Sequence, residues 1–389
     1  MSTRVLWQDI YAVEQQQSSA VAFTAQLTAD PTFITTASVA SGDGYPGIKG
    51  GVIATDQAAI FGMPLNEHVD LKAPNTTFEQ EQARGISQRH NQEYHIVNTG
   101  EPAEATISMV ATAYNISLFG YLLFQAGSSE VVGSANVTLN IFTGIPYVVA
   151  DPEVYAYVTR FLQPAADSDD VDQIMRGCIC SSLTLSAEKG GVLMLEAVMQ
   201  GGGWSQKDLS ALVASINFDT TASLKYQDMF AYMESTSMDI PSFTVTFSNN
   251  PVWNFYNDET AASVHLGRFT VEGSFDLPWG AATVGNNYAI TKFLGGTQQD
   301  LYFFWGVDDR TSPTNADWDC DNDETKNAAT DTKNYCGIKI NARIIDYELG
   351  GDNEVVTTVN FQGAYDDTTA AGSLKAGYDL TKLTRILPV

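Results

Sequence analysis

Apolar and polar residues alternate with a period of two through much of the C-terminal half. Phe269, Val271, Phe275 and Leu277 share one parity; Arg268, Thr270, Glu272, Ser274 and Asp276 share the other. Side chains of a β-strand point alternately to opposite faces, so this spacing predicts a sheet with one dry and one wet face. Phe243, Val245 and Phe247 predict a second strand, closed by Asn249, Asn250 and Pro251. Ile179, Leu183, Leu185 and Ala187 are assigned to one face of a third. Leu193, Leu195, Ala197 and Met199 face the same way on its hairpin partner, with a glycine turn over 188–191 and an end at Gly201–Gly203. Ile338, Ile340, Ala342 and Ile344 alternate, and the phase then slips to Ile345, Tyr347 and Leu349. One inserted residue is the mark of a β-bulge. A turn over 350–353 leads into Val355, Val359, Phe361 and Tyr365.

The N-terminal half is less regular. Strands are predicted at 21–28, at 107–111 and through Val137, Leu139 and Ile141. Residues 41–51 are glycine-rich turns, 64–92 a long polar connection, and 164–172 an acidic loop. Tyr114, Leu118, Tyr121 and Leu122 have helical spacing and predict a helix covering the sheet; a second helix is predicted over 223–233. Residues 105–129 carry no charge, but their polar side chains and initial alternation point to a strand running into a buried helix rather than a membrane span. The fold class is mainly β: an antiparallel β-sandwich or barrel-like fold with one or two flanking α-helices and long loops.

Charge narrows the partners. The 389 residues include 20 Lys and Arg against 46 Asp and Glu, a formal net charge of −26. Such a surface repels nucleic acid and anionic membrane, both of which are bound through cations. No basic region followed by an apolar run opens the chain, so a soluble protein with free thiols is expected at Cys178, Cys180, Cys320 and Cys336. Neither cysteine pair has a nearby histidine to complete a zinc site.

Catalytic motifs are absent. There is no phosphate-binding glycine loop and no Gly-x-Ser-x-Gly elbow, and His68, His90, His95 and His265 are scattered. Asp319, Asp321 and Asp323 reproduce the start of a calcium loop, but Glu324 stands where that loop needs Gly and Thr330 where it needs a bidentate Glu. A solvated acidic loop is the stronger reading. No enzyme activity and no cofactor are expected.

Several of these segments, taken in order, resemble bacteriophage tail tube proteins, also called major tail proteins. Residues 177–204 (GCICSSLTLSAEKGGVLMLEAVMQGGGW) resemble that family's central hairpin, and 242–250 (SFTVTFSNN) its strand ending in an Asn-rich turn. Residues 338–349 and 355–366 resemble its closing hairpin, and 85–127 its strand with flanking helix. The resemblance implies a structural virion protein of the phage tail, made in the host cytoplasm. It implies self-association into stacked homo-oligomeric rings, together with other tail proteins, around an acidic lumen that passes DNA without specific binding and without membrane contact. A hexameric ring is expected for one tube-like domain spanning 1–389, and a trimer if the chain holds two tube-like halves, about 1–175 and 176–389. Residues 308–336 are read as a loop insertion. Acidic candidates for the lumen or outer surface are Asp167, Asp169, Asp170, Asp172, Glu272 and Asp276. Candidates for contacts between rings are Glu67, Arg84, Arg89, Asp317 and Trp318. The alternatives are another tail-tip or baseplate ring protein, or an acidic β-sandwich that binds or cleaves carbohydrate through Trp253, Trp279 and Trp305.

Overall fold

The computed structural model describes residues 10–15, 27, 60–62, 71–72, 101–125, 128–131, 137–144, 152, 155–161, 172–207, 217–219, 222–255, 261–278, 286–305, 334–350, 356–364, 372–379 and 383–385. In chain order the strands are β1 (Ile10–Gln15), β2 (Ile60–Gly62), β3 (Ala103–Val110), β4 (Ser128–Val131), β5 (Val137–Gly144), β6 (Ala156–Phe161), β7 (Asp172–Glu188), β8 (Met194–Lys207) and β9 (Asn217–Asp219). They continue with β10 (Phe230–Met233), β11 (Thr236–Ser237), β12 (Ser242–Ser248), β13 (Val252–Asn254), β14 (Ser263–His265), β15 (Thr270–Pro278) and β16 (Gln299–Trp305). The last four are β17 (Asn334–Gly350), β18 (Val356–Gly363), β19 (Gly372–Asp379) and β20 (Leu383–Arg385). Among the described residues two helices, α1 (Ala113–Phe124) and α2 (Asn286–Gly295), accompany them. The expectation of a mainly antiparallel β fold with one or two helices holds.

The pairings build one layer in the order β3-β8-β7-β12-β15-β18, every neighbour antiparallel. A second layer runs β10-β16-β17-β19-β5-β4. Strand β17 belongs to both. Its residues 336–340 lie between β16 and β19, and from Ala342 onward it pairs with β18. The register shifts between Ile344 and Asp346, the bulge that the phase slip predicts. A bulge increases local twist, which suits a strand passing from one layer to the other.

The dry faces meet in a single apolar cluster. Phe243 of β12 stacks on Phe303 of β16 at 5.0 Å and lies 5.4 Å from Trp305, which fixes the two layers face to face. Helix α1 is buried on nearly all sides, as an apolar helix inside a core must be. Thr112 Oγ1 accepts from Asn115 N at its start, and Gln125 ends it in the left-handed region at φ 60°. Phe124 then packs on Phe247 and Phe269.

The central hairpin turns as expected, with Gly190 at φ 85° and Gly191 N donating to Glu188 O at 2.9 Å. It does not end at Gly201–Gly203: β8 continues to Lys207. A Cβ on Gly201 would lie 2.9 Å from Cys178 Sγ, so glycine there permits close strand contact rather than termination. Ile179 does not share the face of Leu183, Leu185 and Ala187. The β7–β8 register shifts between Cys180 and Ser182, so Cys178 and Cys180 point into the main core. Ile179 joins Tyr155 and Val264 in a small cluster packed by Trp253 and Leu266, beneath the β13–β14 hairpin.

The helix predicted over 223–233 is also corrected. A short 3-10 turn, Tyr226–Asp228, stands there, followed by β10. Leu193 N donates to Leu224 O at 2.8 Å and β10 pairs with β16, so contacts distant in sequence override the local spacing. The predicted segments at 21–28, 41–51 and 64–92 lie, apart from Leu27, Leu71 and Lys72, outside the described residues.

Candidate functional site

The feature that distinguishes this molecule is the wet face of the first layer. Register places one row of side chains across seven adjacent strands: Ser108, Glu196, Thr184, Thr246, Glu272, Gln362 and Arg343. The next row runs Ser186, Thr244, Ser274, Asn360 and Asp346. Strand alternation alone puts these hydroxyl, amide and carboxylate groups on one surface.

Among the described residues seven carboxylates belong to this face, Glu104, Glu188, Glu196, Glu272, Asp276, Asp346 and Glu348. Among the described residues, β3, β12, β15, β18, 182–188 and 194–200 place no Lys or Arg on it. Cations stand around its border: Lys72, joined by a backbone bridge to Glu104 beside β3, Arg343 on β17, and the exposed Arg268 and Lys189 just past the ends of β15 and β7. Neighbouring strands hold the carboxylates through neutral donors. Ser242 Oγ donates to Asp276 Oδ2 at 2.6 Å, and Thr358 Oγ1 to Oδ1 at 2.7 Å. Gln362 Nε2 donates to Glu272 Oε1 at 3.2 Å, and Gln200 Nε2 to Glu104 Oε2 at 3.4 Å. Hydroxyl and amide donors fix a carboxylate without neutralising it, so the face keeps its negative charge.

Glu272 and Asp276 share this face of β15, two rows apart with Ser274 between them. Asp172 is not part of a loop: it begins β7 and is buried, 3% exposed. Asp167, Asp169 and Asp170 lie outside the described residues, as do Glu67, Arg84, Arg89, Asp317, Trp318, Asp319, Asp321 and Asp323. Sequence reading missed Glu104, Glu188 and Glu196. Their signal is a carboxylate at the polar positions of alternating strands, but only the strand order joins them to Glu272.

A sheet face is not a catalytic cleft. Among the described residues no group of three or more His, Cys, Asp or Glu could hold a metal ion. Trp253 and Trp305, the two described candidates, form no exposed carbohydrate platform. Trp305 is fully buried, and Trp253 is part-buried and donates from Nε1 to Gln200 Oε1 at 3.0 Å; Trp279 lies outside the described residues.

A family model for phage tail tube proteins matches residues 17–363. The chain belongs to the phage tail tube protein family. It is a structural component of a phage tail. A comparison with curated proteins finds no match. Among the described residues no helix is long and apolar enough to cross a membrane.

Three thiols of this family member lie in its core. Cys178, Cys180 and Cys336 are free and buried, and burial pushes each thiol well above its ordinary pKa because the thiolate loses solvation. The thiolate is the reactive form. Iodoacetamide followed by peptide mapping is therefore expected to leave all three unmodified from neutral to mildly alkaline pH, and to label them in guanidinium. Native labelling at Cys178 would contradict this packing.

Proposed function

We propose that this chain is the repeating subunit of the tail tube, assembled as closed rings of identical copies that stack into a hollow conduit. The acidic wet face of the first layer lines the lumen. The observation that carries this reading is the row-by-row register of that face, which presents carboxylates and hydroxyls without interior cations. DNA binds proteins chiefly by exchanging counterions for Lys and Arg. A wall without them offers phosphate no such exchange, so DNA passes during ejection without being held. The role is structural and non-catalytic.

One apolar cluster draws Ala103, Phe119 and Val158 from before position 175 and Phe243, Phe303 and Phe361 from after it. Strand β7 runs through that position without interruption. Both facts favour one tube-like unit per chain, hence a ring of six copies over a trimer of double units. The polar segments 73–92 and 308–333 remain the proposed contacts between rings and with other tail proteins, whereas Leu71 is buried and 334–336 open β17, with Tyr335 and Cys336 in the core.

Negative-stain electron microscopy of the purified protein tests the reading. Rings or hollow filaments are expected on concentration. A protein that stays monomeric at high concentration, at both low and high salt, would overturn it.

A further inference from the structure

We infer that the β13–β14 hairpin is a ledge standing inside the lumen, where it sets the bore and is the surface that passing DNA touches; this rests on the tube-subunit reading. The hairpin is a separate two-stranded sheet, outside the ladders of both layers. It is seated on the wet face. Trp253 and Val264 are direct cross-strand partners and point down to that face. Val264 packs with Ile179 and Tyr155, and Trp253 Nε1 donates to Gln200 Oε1 at 3.0 Å. Ile179 of β7 and Gln200 of β8 are themselves cross-strand partners, and Gln200 Nε2 donates to Glu104 Oε2 on β3. A hairpin seated there lies between the wall and whatever fills the bore.

The same layer carries a like surface without this cover. Glu104 lies opposite Gln200 and accepts its amide; four strands on, Glu272 lies opposite Gln362 and accepts its amide in the same way. Glu104 and Gln200 are half-buried, whereas Glu272 and Gln362 are exposed. The hairpin is thus an addition over one of two similar pairs. It is a fixed addition rather than a loose flap. At its root Gly267 N donates to Asn249 O at 2.9 Å, and Asn250 Nδ2 to Arg268 O at 2.8 Å. At its foot Ala261 N donates to Gly202 O of β8 at 2.9 Å.

The chemistry of its outer side suits contact without capture. Alternation turns Val252, Asn254, Ser263 and His265 away from the wall. Val252 is 55% exposed, and Asn254 Nδ2 is spent on Ser263 Oγ at 2.9 Å. The described hairpin residues 251–255 and 261–267 include no Lys, Arg, Asp or Glu. Packed sheets lie about 10 Å apart, close to the ~8 Å over which physiological salt screens a charge. A duplex resting on the ledge therefore stays about one screening length from the carboxylates beneath it. It meets no cation that would hold it and no anion at contact range. Each copy in a ring contributes one ledge, so the ledges together form a neutral collar above an acidic wall.

The test uses the full chain, with wild-type assembly established first. Protein is assembled in the presence of short duplex DNA, pelleted and treated with nuclease, so that DNA enclosed in the bore survives and DNA bound outside does not. Wild-type filaments are expected to protect little. Val252→Lys changes one exposed side chain and puts a ring of cations on the collar. It is expected to raise protected DNA by roughly tenfold or more at low salt, with the gain lost as salt rises. Leu294→Lys makes the same change on α2, at a side chain 75% exposed, and is expected to leave protected DNA at the wild-type level. Val252→Lys filaments that protect no more DNA than Leu294→Lys filaments would overturn the ledge. Abundant protected DNA in wild-type filaments would overturn the non-binding lumen, and failure of the wild type to assemble would overturn the tube reading itself.

Discussion

Gly273→Ala is expected to remove a large part of the stability of the fold, although it adds one methyl group. Gly273 lies in the middle of β15, on the parity that faces the core, paired with Val245 on one side and Phe361 on the other. A Cβ built there would lie 2.3 Å from Thr244 O and 2.5 Å from Phe361 Cζ. The ring of Phe361 already fills the space that a side chain would need. It could swing away only by leaving Phe275, 6.0 Å distant, and opening the core beneath it. The carbonyl has no such freedom, because moving it breaks the β12–β15 ladder. Overpacking costs roughly 1–3 kcal/mol, and the upper end applies where backbone and side chain are both strained, a large part of what holds a domain together. Guanidinium titration should show that loss. Gly350→Ala, where nothing lies within 4 Å of the added carbon, should differ little from wild type. If Gly273→Ala lost less than about 1 kcal/mol, the packing of Phe361 over β15 would be wrong.

The residues that announced themselves in the sequence are those whose strand has one wet and one dry side. Phe269, Val271, Phe275 and Leu277 are all buried, and the polar residues between them point to the other side of β15, where they are exposed or half-buried. The slip at Ile345 was legible for the same reason. Ile179 was not. From Ile174 to Ser181 every residue of β7 is buried, because the β13–β14 hairpin covers the outer face there while the core covers the inner. Alternation vanishes where both sides are dry, and the bulge beside Ser181 leaves no trace in the pattern. The stretch 223–233 misled for another reason: its residues are held by Leu193, Gly191 and β16, all distant in sequence. The acidic face was half visible. Glu272 and Asp276 could be read from one strand, but Glu196 joins Glu272 only through Thr184 and Thr246, and strand order is not written in any single segment.

Phe243→Ala is expected to cost roughly 3–5 kcal/mol by the same titration, the range for truncating a buried aromatic and leaving a cavity. Phe243 is 2% exposed and makes the closest ring contact between the two layers, stacked on Phe303 with an interplanar angle of 14°. It also meets Trp305 at 5.4 Å. Both partners lie on β16, which pairs with β17 and whose Phe303 also meets Phe275 of β15 at 6.5 Å. Removing the ring therefore weakens the joint between layers rather than either sheet. Phe243→Leu keeps most of the volume and should lose about half as much. The comparison that bears on function is between free subunit and filament. If rings clamp the layers from outside, assembly stabilises the variant by mass action, since only the folded chain joins the ring. The deficit measured on dilute monomer should then shrink once filaments form, when resistance to protease is compared at matched protein mass. An equal deficit in both states would mean that the ring contacts do nothing to hold the two layers together.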